Sequence, residues 1–170
     1  MFRHNRTGVT DLDFSCNGRS IVSALGDDAV RIWNVRDGSS KVLKEENIAD
    51  WPMYRCAKFS PNGRFVAAAN KDGFLRIWDS RTHQLVGKWH GHKNVVSSLA
   101  FMPDGKGLLS GSLGSAVKYW HVSTIGGKET GSTIKDTLTW FEGHTVRYSI
   151  HVPSLDLFMQ FYCCRAGSRP

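Results

Sequence analysis

Three phenylalanines set a ruler along this chain. Phe14, Phe59 and Phe101 are each followed four residues later by a glycine: Gly18, Gly63 and Gly105. Each is also followed 19 residues later by a tryptophan: Trp33, Trp78 and Trp120. The tryptophans are therefore 45 and then 42 residues apart. Three markers that hold register across three copies mean that one structural unit is used repeatedly. That restricts the chain to a repeat architecture before any secondary structure is assigned.

Each unit reads as short strands joined by turns. In the second, residues Cys56 to Phe59 begin a strand and Pro61-Asn62-Gly63 makes a turn. Phe65 to Ala69 follows, Lys71-Asp72-Gly73 turns again, and Phe74 to Trp78 forms the next strand. Proline presets φ for the second turn position, and glycine accepts the positive φ that such turns need. Cys16-Asn17-Gly18 and Pro103-Asp104-Gly105 repeat the first turn in the other units. A fourth strand is expected after each tryptophan, near Lys41 to Leu43, Gln84 to Lys88 and Thr137 to Phe141. No helical periodicity is long enough to compete, so the fold class is all-β.

Bulk properties exclude several function classes. The chain is 41% hydrophobic and 22% charged, as expected of a globular protein, with a formal charge of +7. Its 22 Lys and Arg residues are scattered and nowhere form a run of five or six. The excess charge therefore reads as a solvated basic surface, not a nucleic-acid-binding stripe. The four cysteines contain no C-x-x-C pair, and Cys163 is adjacent to Cys164, so no zinc site is expected. Cys16 and Cys56 lie in or beside strand-like segments and read as small buried thiols. No N-terminal apolar run resembles a signal peptide, and no segment approaches the roughly 20 apolar residues that span a bilayer. Asn5-Arg6-Thr7 matches a glycosylation acceptor, but the chain is read as intracellular.

Several motifs sharpen the picture. Val30-Arg31-Ile32-Trp33-Asn34 and Leu75-Arg76-Ile77-Trp78-Asp79, with the Phe-x-x-x-Gly spacing, Gly91-His92 and Gly143-His144, resemble the WD-repeat signature. The resemblance covers about residues 4 to 145 and implies a β-propeller of four-stranded blades around a channel. Gly91-His92-Lys93-Asn94-Val95 leads into Ser110-Gly111-Ser112-Leu113, and a Gly/Ser/Thr/Lys insertion, Ser123 to Lys135, follows Trp120. This layout is similar to the C-terminal propeller of fungal Tup-type, Groucho-like transcriptional corepressors. On this reading residues 1–145 are a propeller segment, with units at about 4–43, 51–89 and 91–141. That makes an incomplete open arc of about three blades and the start of a fourth. Residues 146–170 carry no repeat marker; position 153, where the next phenylalanine would fall, is Pro153. They read as a non-repeat tail, disordered or an aberrant read-through, with a divergent fourth blade as the alternative, and the remaining blades would be needed to close the ring.

The same resemblance implies a hydrogen-bond chain inside each blade, from tryptophan N–H to a Ser or Thr hydroxyl, then to a histidine and an aspartate. Burying such groups is tolerable when every one finds a partner, and the chain then stiffens the blade. In the first unit the set would be His4, Ser23, Asp27 and Trp33. The second has Asp72 and Trp78, with Ala68 in place of the hydroxyl and Asp50 in place of histidine. The third has His92, Ser110 and Trp120, with Gly114 in place of aspartate. Ser, His and Asp together also suggest a hydrolase, but that chemistry needs an exposed nucleophile and an oxyanion hole, and no G-x-S-x-G elbow is present. No catalytic, cofactor-binding or metal-binding residue is therefore expected.

The functional expectation is a non-catalytic interaction scaffold. The Tup-type resemblance implies a nuclear corepressor that holds DNA-bound repressors, chromatin factors or other complex subunits, with no direct contact to nucleic acid or membrane. The alternative is a generic WD-repeat adaptor in ubiquitin ligation or signalling. The segment leading into the second blade, Asp50-Trp51-Pro52-Met53-Tyr54-Arg55, lacks the usual Gly-His and is rich in residue types that dominate binding hot spots. Trp51, Met53, Tyr54 and Arg55 are the partner-binding candidates. The opposing reading is that Trp51 or Tyr54 packs inward in place of the lost histidine.

Overall fold

The computed structural model describes residues 8–26, 29–43, 45, 53–114 and 116–122. His4, Asp27, Asp50, Trp51, the strand expected at Thr137 to Phe141 and the tail from Tyr148 lie outside them. The described residues contain eleven strands and no helix. The first sheet runs β1 (Val9–Phe14), β2 (Ser20–Leu25), β3 (Val30–Asn34) and β4 (Ser40–Leu43). The second runs β5 (Tyr54–Phe59), β6 (Phe65–Asn70), β7 (Phe74–Asp79) and β8 (Leu85–His90). The third holds β9 (Val96–Phe101), β10 (Gly107–Ser112) and β11 (Val117–His121). Neighbouring strands are consecutive in the chain and antiparallel throughout. Each sheet is a propeller blade, and the three stand side by side as an open arc.

The turn between the first two strands of each blade explains the glycine ruler. Gly18, Gly63 and Gly105 adopt φ of 66°, 68° and 70°, where a β-carbon is penalised. The residue before each glycine accepts a backbone N–H through its side chain. Asn17 takes the N–H of Arg19 at 2.9 Å, Asn62 that of Arg64 at 3.0 Å, and Asp104 that of Lys106 at 2.9 Å. Turn chemistry of this kind sets the strand register.

Blades meet through two apolar seams. In the first, Val22, Ala24, Val30, Ile32 and Leu43 pack against Tyr54, Ala57, Phe59, Val66, Ala68 and Trp78 of the second blade. In the second, Cys56, Phe65, Ala67, Ala69, Leu75 and Ile77 pack against Val96, Leu99, Leu108, Trp120 and Val122. The middle blade is thus covered on both faces, and all six residues of β6 are buried, so its sequence lacks polar alternation. Phe59 is 7% exposed, whereas Phe14, the same repeat position on the uncovered face of the first blade, is 56% exposed.

The innermost strands β1 and β5 are joined by side chains instead of a backbone ladder. Asp11 accepts the Ala57 N–H at 3.0 Å, and Asp13 accepts the Phe59 N–H at 2.9 Å. The Thr10 hydroxyl donates to the Tyr54 carbonyl at 3.0 Å, and Lys58 pairs with Asp11 at 3.0 Å. These bonds satisfy amides that an edge strand would otherwise present unpaired.

One glycine fixes the approach to the third blade. The Gly73 carbonyl accepts the N–H groups of Gly91 at 2.9 Å and His92 at 3.1 Å. Its φ is 81°, and a β-carbon there would collide with the His92 carbonyl. The cysteines divide. Cys56 is buried at 2% exposure, which pushes its thiol up to about 12. Cys16 is exposed, because it falls in the turn after β1 and not in a strand, which corrects its sequence reading.

Candidate functional site

In the third blade, Trp120 on β11 and Ser110 on β10 are neighbours across the sheet. The Trp120 Nε1–H donates to Ser110 Oγ at 2.7 Å, and His92 Nε2 lies 2.6 Å from the same oxygen. Ser110 is 0% exposed and His92 is 4% exposed. Burial, reinforced by the nearby charges of Lys118 and His90, lowers the His92 pKa from 6.5 to about 4, so the ring is neutral at physiological pH. Gly114 faces Asn94: a β-carbon on it would lie 2.5 Å from Asn94 Nδ2.

The first blade has the same donor and acceptor, with Trp33 Nε1–H bonded to Ser23 Oγ at 2.8 Å. The second blade does not. Trp78 is fully buried, and its Nε1–H has no hydrogen-bond partner, because Ala68 occupies the hydroxyl position. Asp72 is exposed and meets a histidine only through its backbone: His90 Nε2 lies 3.1 Å from its carbonyl. The pair Asp72 and Trp78 therefore forms no network, which corrects their grouping with the other two sets. The missing serine and histidine leave nothing to link them.

The segment leading into the second blade splits by face. Met53 is 38% exposed and Arg55 is exposed, while Tyr54 is only 2% exposed. The Tyr54 ring meets Trp78 edge-on, with centroids 6.0 Å apart, inside the seam with the first blade. Tyr54 is therefore core, not a docking residue. It begins β5, and a register shift between Tyr54 and Cys56 turns its side chain inward.

A charged cluster at the rim of the first seam was not legible beforehand. Arg76 on β7 is 3% exposed, and its Nε donates to Glu45 Oε2 at 2.6 Å. Lys88 on β8 bonds the other Glu45 oxygen. Burial pushes the Glu45 carboxyl up, but hydrogen bonds from Lys88 and Arg76 outweigh it and hold the group below its usual value. The guanidinium lies over the rings of Phe74 and Tyr54, 5.5 and 5.6 Å from their centroids. Its Nη1 is buried without a partner. The partners are 31 residues apart in sequence, with no local motif to join them.

Among the described residues, no group of three or more His, Cys, Asp or Glu could hold a metal ion, and no helix is long and apolar enough to cross a membrane.

Comparison with known proteins agrees with this architecture. Two solved structures resemble the chain with a TM-score of 0.70. One is described as the crystal structure of RRP9 WD40 repeats, at 24% identity over 85% of this chain and 41% of that one. The other is the structure of U3-55K, at 23% identity over 85% of this chain and 42% of that one. The chain spans less than half the length of either, and at such identity the likeness concerns the fold. No curated protein matches the sequence. The family described as WD domain, G-beta repeat matches residues 1–34, 50–79 and 83–121, more than half of the chain and one match for each blade. With its repeat spacing, its blade geometry and these matches in agreement, the chain belongs to the WD domain, G-beta repeat family.

Proposed function

We propose that this chain is part of a non-catalytic protein-interaction scaffold, and that it serves a nuclear, Tup-type general corepressor by holding DNA-bound repressors or chromatin factors. The observation that carries the scaffold reading is the fate of Ser110. A nucleophile must reach its substrate, yet this hydroxyl is fully buried and held between Trp120 and His92. Its partners make it a bolt within the blade. The groups left to meet a partner include Met53, just before β5, and the exposed Arg55 at its start, carried by a sheet with both faces packed. The corepressor role itself rests on the family likeness of the segment around Gly91 to Leu113 and of the insertion after Trp120.

Tethering tests it. The full chain, fused to a heterologous DNA-binding domain, should lower transcription from a reporter carrying that domain's site. Unchanged transcription would favour a generic WD adaptor. Ester hydrolysis should stay at background for both the chain and Ser110→Ala; a rate that Ser110→Ala removed would make the protein an enzyme.

A further inference from the structure

The seam between the first two blades opens at one end into a solvent-facing cleft of about 660 Å3. Its floor is apolar, formed by Ile32 and Phe59. Its rim is built by the turns after β1, β5 and β7, which the antiparallel order brings to the same end of the sheets. Met53 and the start of β5 lie at the opposite end, so the cleft is separate from that segment.

Hydrogen bonding within the rim consumes its acceptors and leaves its donors. Asn17 Oδ1 accepts the Ser15 hydroxyl and the Arg19 N–H, each at 2.9 Å. Asn62 Oδ1 accepts the Ser60 hydroxyl at 2.7 Å and the Arg64 N–H at 3.0 Å. A main-chain N–H can only donate, so each amide oxygen is committed to its turn, and the NH2 is the end left for a ligand. Asp79 is engaged in the same way. Its Oδ1 accepts the N–H groups of Arg81 at 2.9 Å and Thr82 at 3.0 Å, and its Oδ2 lies 3.7 Å from Arg64 Nε. Against that one carboxylate stand two exposed guanidiniums, Arg64 and Arg81. Arg64 is held further by the Phe65 ring, whose centroid lies 5.0 Å from the guanidinium carbon.

Donors in excess around an apolar floor suit a ligand that carries both carboxylates and an apolar group. The volume falls within the roughly 300–1,000 Å3 of sites that enclose a ligand of several groups, more than one small anion would fill. We propose that this cleft docks a short acidic segment of a partner protein, with Arg64 and Arg81 holding its carboxylates over the floor of Ile32 and Phe59. The two asparagine NH2 groups complete the donor set, and the floor receives an apolar side chain between the acidic ones. The cleft rests on the scaffold reading and names the chemistry of what that scaffold holds.

The test is a titration of the full isotope-labelled chain with acetyl-Glu-Leu-Glu-amide, following the side-chain NH2 resonances of Asn17 and Asn62. Acetyl-Gln-Leu-Gln-amide and inorganic phosphate serve as comparison ligands. The expected result is a saturable shift at both asparagines, with the glutamate peptide bound more tightly than either comparison ligand. Arg64→Gln and Arg81→Gln, both exposed changes, should each weaken that binding roughly threefold or more. Lys71→Gln removes the same charge at the far end of the blade and should leave the affinity unchanged. No shift at the asparagines, equal affinity for the two peptides, or unchanged affinity in the arginine variants would overturn the docking cleft. So would an equal loss in Lys71→Gln, which would mean a diffuse charge effect, or phosphate bound as tightly as the peptide, which would mean a simple anion site. Repression by the tethered chain reads out separately. If it persists while the peptide fails to bind, only the cleft is wrong; if the peptide binds and repression is absent, only the corepressor role is.

Discussion

Trp33 donates its indole N–H to Ser23 at 2.8 Å, across a spacing of ten residues that in the second blade joins Trp78 to Ala68. Two blades thus bolt their tryptophan to the neighbouring strand, and the middle one leaves the donor buried and unpaired. The middle blade compensates through packing, with Tyr54 set edge-on against the Trp78 ring.

Ala68→Ser should therefore stabilise the protein. The new hydroxyl would stand in the register of Ser23 and Ser110 and accept the Trp78 N–H. A gain of about 1 kcal/mol is expected, a rise of roughly 2–4 °C in Tm. Calorimetry of the two proteins checks it; a lower Tm would mean that the seam has no room for the oxygen.

His92 makes stability depend on acid. Its folded pKa, about 4, lies below its ordinary 6.5, so below pH 6.5 the unfolded chain binds the proton first. The contribution is complete above pH 6.5 and is lost as pH falls towards 4, by about 3 kcal/mol in all. Urea midpoints between pH 7 and 4 should show this loss, and His92→Gln should flatten that part of the profile.

Asp13 has the opposite sign. Burial raises its pKa, and the Phe59 N–H and Lys58 only partly offset that. Its contribution is complete below pH 3.8 and is lost as pH rises through the raised folded value. Asp13→Asn keeps an acceptor for Phe59 without the charge, so stability at pH 7 should change by less than about 0.5 kcal/mol. Asp13→Ala strands the amide and should cost about 1–3 kcal/mol. Denaturation of the pair at pH 7 separates the two effects.

The segment before the second blade should divide in the same manner under mutation. Tyr54→Ala removes a buried ring and should cost about 3–5 kcal/mol. Met53→Ala with Arg55→Ala should leave Tm almost unchanged and, on the proposed scaffold role, weaken capture of a partner protein by about 2 kcal/mol. Unchanged capture in that double variant would remove the segment from the interface.

The strands and turns were legible because their signals are local. Glycine at positive φ after Asn or Asp, and a tryptophan at constant spacing, each report on a few neighbouring residues. Ser23 and Ser110 were placed beside their tryptophans by the family resemblance, which implies a ten-residue spacing between hydroxyl and indole. Tyr54 was harder: a register shift of one residue decides whether it faces the loop or the seam, and nothing nearby in sequence signals it. Arg76 and Glu45 come from different blades, so only the packed seam brings them together. A signal for the hub did exist. Asp11 and Asp13 alternate with Leu12 and Phe14 within one strand, which places two carboxylates on one face of an inner edge.

Those two carboxylates have a consequence for how the repeat tolerates change. Asp11 and Asp13 address the main-chain N–H groups of Ala57 and Phe59, which every residue except proline carries. Apart from the Lys58 ammonium that pairs with Asp11, the joint is therefore indifferent to the side chains opposite it. Positions 57 and 59 can vary as far as the apolar seam allows without loosening the hub, whereas losing either aspartate unfastens it. Such a fastening is asymmetric: the first blade supplies both carboxylates and the second mostly main-chain donors, so a unit with acceptors at these two positions could be coupled to followers of varied sequence.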